Sequence, residues 1–179
     1  IHSGLFRNAE RAAWMDFSEP IHEIKSAVFV RADRGRPLPI GQLGSVKVGT
    51  IAGSYQETYL KENFVAFQTV GYAGNENLVR ALLEGEVQAI VSEVPAVQAS
   101  LGRLGLGGML VRGDEPLLTN FVYAGVRQGE TALLQEINAG LQAIPRQRLA
   151  AAEKRWLPDP ADRFYGGGDG KIELTAWEK

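Results

Sequence analysis

Apolar positions along this chain switch between a two-residue and a three-to-four-residue spacing, and the switches mark out its elements. Residues 1–5 read as a short strand, and residues 8–14 as one or two helical turns with Asn8 as a cap. Asp16-Phe17-Ser18-Glu19-Pro20 is a polar turn closed by proline. Residues 26–31 are β-rich and read as a buried strand. A Gly/Pro loop over 33–39 follows. Leu43 resumes a short helix-to-strand pattern, and residues 46–51 alternate as a strand. Gly53-Ser54 then leads into helical spacing over 55–62, and 67–72 is another strand. Asn75 caps a helix over 76–84, with Leu78, Leu82 and Leu83 on one face and Gly85 as its stop. Residues 87–92 form a buried strand, 95–101 begin a further helix, and 102–108 are glycine-rich and loose. Strands are expected at 109–112 and 120–126. Residues 131–144 carry the clearest amphipathic stripe, Leu133, Leu134, Ile137, Leu141 and Ile144. Pro145 separates it from a last helix ending at Trp156, and the Pro/Gly-rich residues 159–170 read as linker.

Strands alternating with helices from about residue 26 to 126 predict an α/β fold with a largely parallel sheet. No internal repeat is visible. The net charge of −2 gives no basic surface for nucleic acid or anionic membrane. The chain has no cysteine, which excludes disulfides, thiolate zinc sites and thiol catalysis. No apolar run approaches the roughly 20 residues of a membrane helix, and no signal-peptide pattern is present. The chain opens at Ile1-His2-Ser3 without methionine, which suggests a segment cut from a longer protein.

Three places carry candidate chemistry. Arg11 offers a planar fork of donors suited to a carboxylate; its spacing also suits a surface pair with Glu10 or Asp16. Gly53-Ser54-Tyr55-Gln56 lies where a strand turns into a helix, so free N–H groups and the positive dipole end could receive an anion. An ordinary capped helix start, with Tyr55 a surface aromatic, is the alternative. Glu93 follows a buried strand at its C-terminal edge, where open α/β sheets bind ligands, and a carboxylate there could accept from an ammonium. The alternative is a helix-N-terminal Glu favoured by the dipole ahead of Pro95. Phe6, Trp14 and Tyr72 are aromatic candidates better suited to core or rim. His2 and His22 lack the partners for a metal or a Ser-His-Asp site. The Gly166–Asp169 run lacks the alternating acids of a calcium loop. No cofactor is expected.

The segment Gly4-Leu-Phe-Arg-Asn-Ala-Glu-Arg11-Ala-Ala-Trp-Met-Asp16-Phe-Ser-Glu-Pro20 resembles a signature of family 3 extracellular solute-binding proteins. Its Arg11-to-Asp16 spacing is that family's, and its wording looks most like Venus-flytrap sensor domains of membrane-bound histidine kinases and diguanylate cyclases. Lys47-Val-Gly-Thr-Ile-Ala-Gly53-Ser54-Tyr55 is similar to the family's second-lobe strand and glycine turn. Gly85-Glu-Val-Gln-Ala-Ile-Val-Ser-Glu93-Val-Pro95 is similar to its Gly-x-x-Asp-Ala-x-x-x-Asp-x-Pro segment, and Trp156-Leu157 closes the likeness.

The resemblance implies a type II periplasmic-binding-protein fold: two lobes joined by two crossing strands, with the first lobe incomplete at its N-terminus. It puts residues 1–28 and 120–157 in that partial lobe, 29–119 in the second, and 158–179 in a linker toward a following domain. It implies an extracytoplasmic, non-enzymatic sensing domain of a membrane-anchored receptor, binding an amino acid or carboxylate through Gly4, Phe6, Arg11, Gly53, Ser54, Tyr55 and Glu93. Ligand held by both lobes would favour closure, with hinges near 26–31 and 119–123. Phe6 and Asn8 stand where the family carries hydroxyl residues, which argues against a standard amino-acid ligand. A homodimer or a neighbouring flytrap domain is a possible partner, and residues 172–179 resemble the lead-in to such a domain. A free transport-type binding protein, a cyclohexadienyl-dehydratase-like enzyme and the effector domain of a transcription regulator are the alternatives on this fold.

Overall fold

The computed structural model describes residues 1–157 and 159–166. The chain divides into two units, one comprising Ile1–Ile24 and the chain from Thr119 onward, the other Lys25–Leu118. It passes between them inside two long strands, β3 (His22–Arg31) and β8 (Leu118–Arg127).

The second unit is built on β4 (Lys47–Ile51), α2 (Tyr55–Asn63), β5 (Gln68–Tyr72), α3 (Asn75–Glu84), β6 (Ala89–Glu93), α4 (Val94–Leu104) and β7 (Leu110–Arg112). β4 pairs in parallel with β5 and with β6. The largely parallel sheet expected from the sequence is corrected elsewhere: β3 runs antiparallel to both β6 and β7. Apolar runs report burial on both faces, but strand direction follows from the connections. Helices carry the chain across from β4 to β5 and from β5 to β6. After α4 the short β7 returns against β3 in the opposite sense.

Because side chains alternate across a strand, each central strand feeds two cores. Ala27 and Phe29 of β3 and Ile90 of β6 join Leu78, Val79 and Leu82 of α3 and Val94, Val97 and Leu101 of α4 on one face. Val28 and Val30, Val48, and Ala89 and Val91 meet Leu60 of α2 on the other. Gly49, next to Val48, points to the first face and is hemmed in: a Cβ there would lie 2.8 Å from Leu78 Cδ1 and 3.2 Å from both Ile90 and Tyr72.

Helix ends differ from the sequence expectation in two places. Gly74, not Asn75, caps α3, because the Asn75 side-chain oxygen accepts from Ser92 Oγ at 2.8 Å instead. Residues 102–104, expected to be loose, complete α4, and Gly105 closes it with φ 69°.

The first unit holds β1 (His2–Phe6), α1 (Ala9–Ala12), β2 (Met15–Phe17), α5 (Thr131–Gln142) and α6 (Arg146–Trp156). β1 and β2 both run antiparallel to β8. Residues 16 and 17, expected in a turn, thus belong to a strand, and the turn begins at Ser18. There Ser18 N–H donates to Ala124 O, and Ala124 N–H donates back to Ser18 Oγ, each at 2.9 Å. Asn8 caps α1 as expected, its Oδ1 accepting from Arg11 N at 2.8 Å. α5 has no fully buried residue, so its apolar stripe is covered only in part among the described residues. It is anchored through polar contacts, Glu19 N–H to Asn138 Oδ1 at 2.8 Å and Gln142 Nε2 to Glu19 Oε1 at 2.7 Å.

Residues 159–166, expected as linker, form a folded segment. A 3₁₀ turn spans Pro160–Asp162, and residues 164–166 pack on α6. Proline and glycine signalled a break in helical periodicity; they did not report the carboxylate that holds the segment in place. The expected lead-in at 172–179 and most of the glycine run lie outside the described residues.

Gly49→Ala is expected to destabilise the protein by about 1–3 kcal/mol in urea unfolding, through overpacking. Adding Leu78→Ala, which vacates the nearest contact, should cost less than the sum of the two single changes. Strict additivity would place the strain elsewhere.

Candidate functional site

The carboxyl ends of the parallel neighbours β4 and β6 carry an unusual density of buried polar side chains. Thr50 and Ser26 are fully buried, and Gln56 and Ser92 nearly so. Buried polar groups are costly unless paired, and here they are paired. Gln56 Nε2 donates to Ser26 Oγ at 2.9 Å. Ser92 Oγ donates to Asn75, and the Thr50 and Ser54 hydroxyls lie 3.4 Å apart.

Glu93 terminates β6 opposite Ser26 of β3. It occupies the N-cap position of α4 but makes no capping hydrogen bond. Its half-buried carboxyl is pushed above the usual range by loss of solvent, an effect that a hydrogen bond from Gln56 only partly offsets. The sequence reading placed Gln56 at the start of the helix but gave it no role. The signal for it was a glutamine four residues before Leu60, on the face of α2 that buries both.

Gly53 adopts φ 70°, open to glycine without strain, and turns the chain into α2. Ser54 caps the helix, its Oγ accepting from Glu57 N at 3.2 Å. Glu57 reaches back to Gly53 N–H at 2.7 Å and also takes Lys61 Nζ at 2.8 Å, and these two bonds hold its carboxyl below the usual range. Part of the expected anion cradle is therefore occupied by the chain's own carboxylate. Tyr55, the first residue of α2, is half-buried.

In the first unit, Arg11 is half-buried on α1, and its Nη1 donates to the Phe6 carbonyl at 2.6 Å. Asp16, an expected surface partner for Arg11, instead accepts from Gly129 N–H at 2.8 Å. Gly4 has no unusual backbone angle; its role is close approach, since a Cβ would lie 3.2 Å from Val122 Cγ1. Phe6 pairs in register with Val122. Arg11, Gly4 and Phe6 therefore share one unit, and Gly53, Ser54, Tyr55 and Glu93 the other. Of the other aromatic candidates, Trp14 is exposed, and Tyr72 packs on the first core and donates to Glu86. Among the described residues no group of His, Asp or Glu is arranged to hold a metal ion, and no helix is long and apolar enough to cross a membrane.

The raised Glu93 carboxyl makes a signed prediction. The folded state holds this proton more tightly than the unfolded chain. Its stabilising share is therefore complete below the ordinary value of 4.5 and is lost as pH rises through the folded value. Glu93→Gln, which mimics the protonated form, should raise the melting temperature at about pH 7 and leave it nearly unchanged at about pH 4. An equal shift at both would assign the effect to packing rather than charge.

Comparison with known proteins bears on the fold and the family. The sequence model of bacterial extracellular solute-binding proteins, family 3, matches residues 1–159. The putative ABC transporter arginine-binding protein 2 of Escherichia coli is 26% identical over 149 residues, which are 82% of this chain and 60% of that protein. The chain thus spans about three fifths of that relative's length. Among solved structures, the periplasmic VFT2 domain of Bordetella pertussis BvgS is similar at TM-score 0.69 and 21% identity, over 86% of this chain and 65% of that one. A histidine kinase sensor domain with similarity to periplasmic binding proteins is similar at TM-score 0.74 and 22% identity, over 87% and 68%. The fold is accordingly that of the type II periplasmic binding proteins, or Venus flytraps, and by the extent of the sequence match the chain belongs to the bacterial extracellular solute-binding proteins, family 3.

Proposed function

We propose that this chain is the extracytoplasmic ligand-sensing part of a signal-transduction receptor, and that it binds a small amino-acid-like or carboxylate ligand without chemical turnover. The carrying observation is Glu93: a desolvated carboxylate, steadied by buried Gln56, at the carboxyl end of a central strand. Such a group would gain a partner when a ligand ammonium arrives. Arg11 is the complementary group, with a guanidinium fork for the ligand's acid group. Gly4 and Phe6 shape the surroundings of Arg11. Gly53, Ser54 and Tyr55 do the same on the other unit.

The similarity to a histidine kinase sensor domain supports the receptor reading. The similarity to an arginine-binding transport protein supports a second one, a free binding protein that delivers amino acids to an ABC importer. A membrane-spanning helix encoded downstream in the gene would support the receptor, and its absence the importer. A periplasmic site, a kinase or cyclase output and pairing with a second flytrap domain belong to the receptor reading. A dehydratase activity would need a general acid or base in the site, for which Glu93 is the candidate.

The test is thermal unfolding against a panel of amino acids and small carboxylates. At about 100 times its dissociation constant a ligand adds roughly 2.7 kcal/mol of stability, a readily measured rise in melting temperature. Arg11→Ala and Glu93→Ala should each abolish the rise. A ligand that stabilises both variants as well as the parent would remove the two residues from the site. Disappearance of prephenate or arogenate on incubation would instead establish an enzyme.

A further inference from the structure

Glu153, on α6, is a buried carboxylate that the ligand-binding reading does not use. Its two oxygens accept three consecutive backbone N–H groups: Phe164 at 2.8 Å to Oε1, Tyr165 at 2.8 Å and Gly166 at 3.0 Å to Oε2. A carboxylate in a fan of backbone donors makes charge-assisted bonds, stronger than neutral ones. Arg163 Nε adds a bond to the Leu157 carbonyl at 2.8 Å, closing the loop on itself.

The same segment grips the start of β3. The Tyr165 hydroxyl donates to the Ile21 carbonyl. The Tyr165 ring stacks on His22 at 6.2 Å between centroids, and Phe164 meets His22 and Phe121 edge-on at 6.3 and 5.8 Å. His22 Nδ1 approaches Glu153 Oε1 at 3.3 Å without completing a hydrogen bond. Burial holds the imidazole below its usual value, outweighing the upward pull of Glu153 and Glu23, so at neutral pH it packs as a neutral ring.

β3 is one of the two strands in which the chain passes from one unit to the other. We infer that residues 163–166 form a latch, anchored by Glu153, that ties the chain leaving at Gly166 to the first residues of β3, so that displacement of this strand and displacement of the downstream chain are mechanically linked. An interrupted carboxylate–amide fan would free the segment without touching the core of the second unit. Every contact of the latch lies in the first unit, so it stands whether or not the ligand-binding reading holds.

Hydrogen exchange read by mass spectrometry tests it on the whole protein. In the parent, amides of 164–166 should be protected. In Glu153→Gln, which loses the charge and one acceptor, they should exchange at least about tenfold faster, and so should amides at 21–24; amides of β4 and β6 should be unchanged. Tyr165→Phe removes a single hydroxyl and preserves the rings, so it guards against misfolding of the first variant; it should speed 21–24 and 164–166 together by a smaller factor. Fast exchange of 164–166 in the parent would overturn the latch. So would release of 164–166 with no change at 21–24 in both variants, which would reduce Glu153 to a local cap.

Discussion

Burial of β3, β4 and β6 on both faces is the constraint on which the rest of the structure depends. Each strand divides its side chains between two cores, so Ala27 and Phe29 face one way and Val28 and Val30 the other. A slip of one residue would exchange the two sets, sending Phe29 toward Leu60 and Val28 toward Leu78. The crowding at Gly49 shows how little slack there is: the first face has filled the space that a single methyl group would need. That rigidity holds the ends of β4 and β6 in fixed relation, and the polar groups gathered there inherit it.

Those polar groups stand in a different energetic position from the apolar layers beneath them. Ser26, Gln56 and Ser92 are satisfied by one another or by Asn75, and so define geometry at little net cost. Glu93 is satisfied only in part, and its upward-shifted carboxyl records that. Under the proposed function, stability forgone at Glu93 would be affinity held in reserve for a ligand. In the first unit the corresponding group, Arg11, borrows the Phe6 carbonyl for one of its five donors.

The two units are held together internally by different means. Both extended apolar clusters among the described residues lie in the second unit. The first relies more on directed polar contacts: Ser18 with Ala124, Glu19 with α5, Asp16 with Gly129, and Glu153 with the segment after α6. Directed contacts of this kind break one at a time, whereas a packed core yields as a whole.

The amino-acid sequence by itself determined where most elements lie, because periodicity and capping are local. The Asn8 cap, the Ser54 helix start, the Gly85 stop and the stripe from Leu133 to Ile144 were all legible from neighbours within a few residues. It also raised Arg11 and Glu93 as candidates, through residue chemistry and the family resemblance. Tertiary structure alone decided the direction of β3 against β6, since an apolar run reads the same either way. It decided that Asn75 serves Ser92 rather than its own helix, and that Gln56 turns inward to Glu93 and Ser26. It decided too that Tyr165 reaches back 144 positions to Ile21. Each of these rests on a partner distant in sequence, and a polar side chain carries no mark of which distant group will satisfy it.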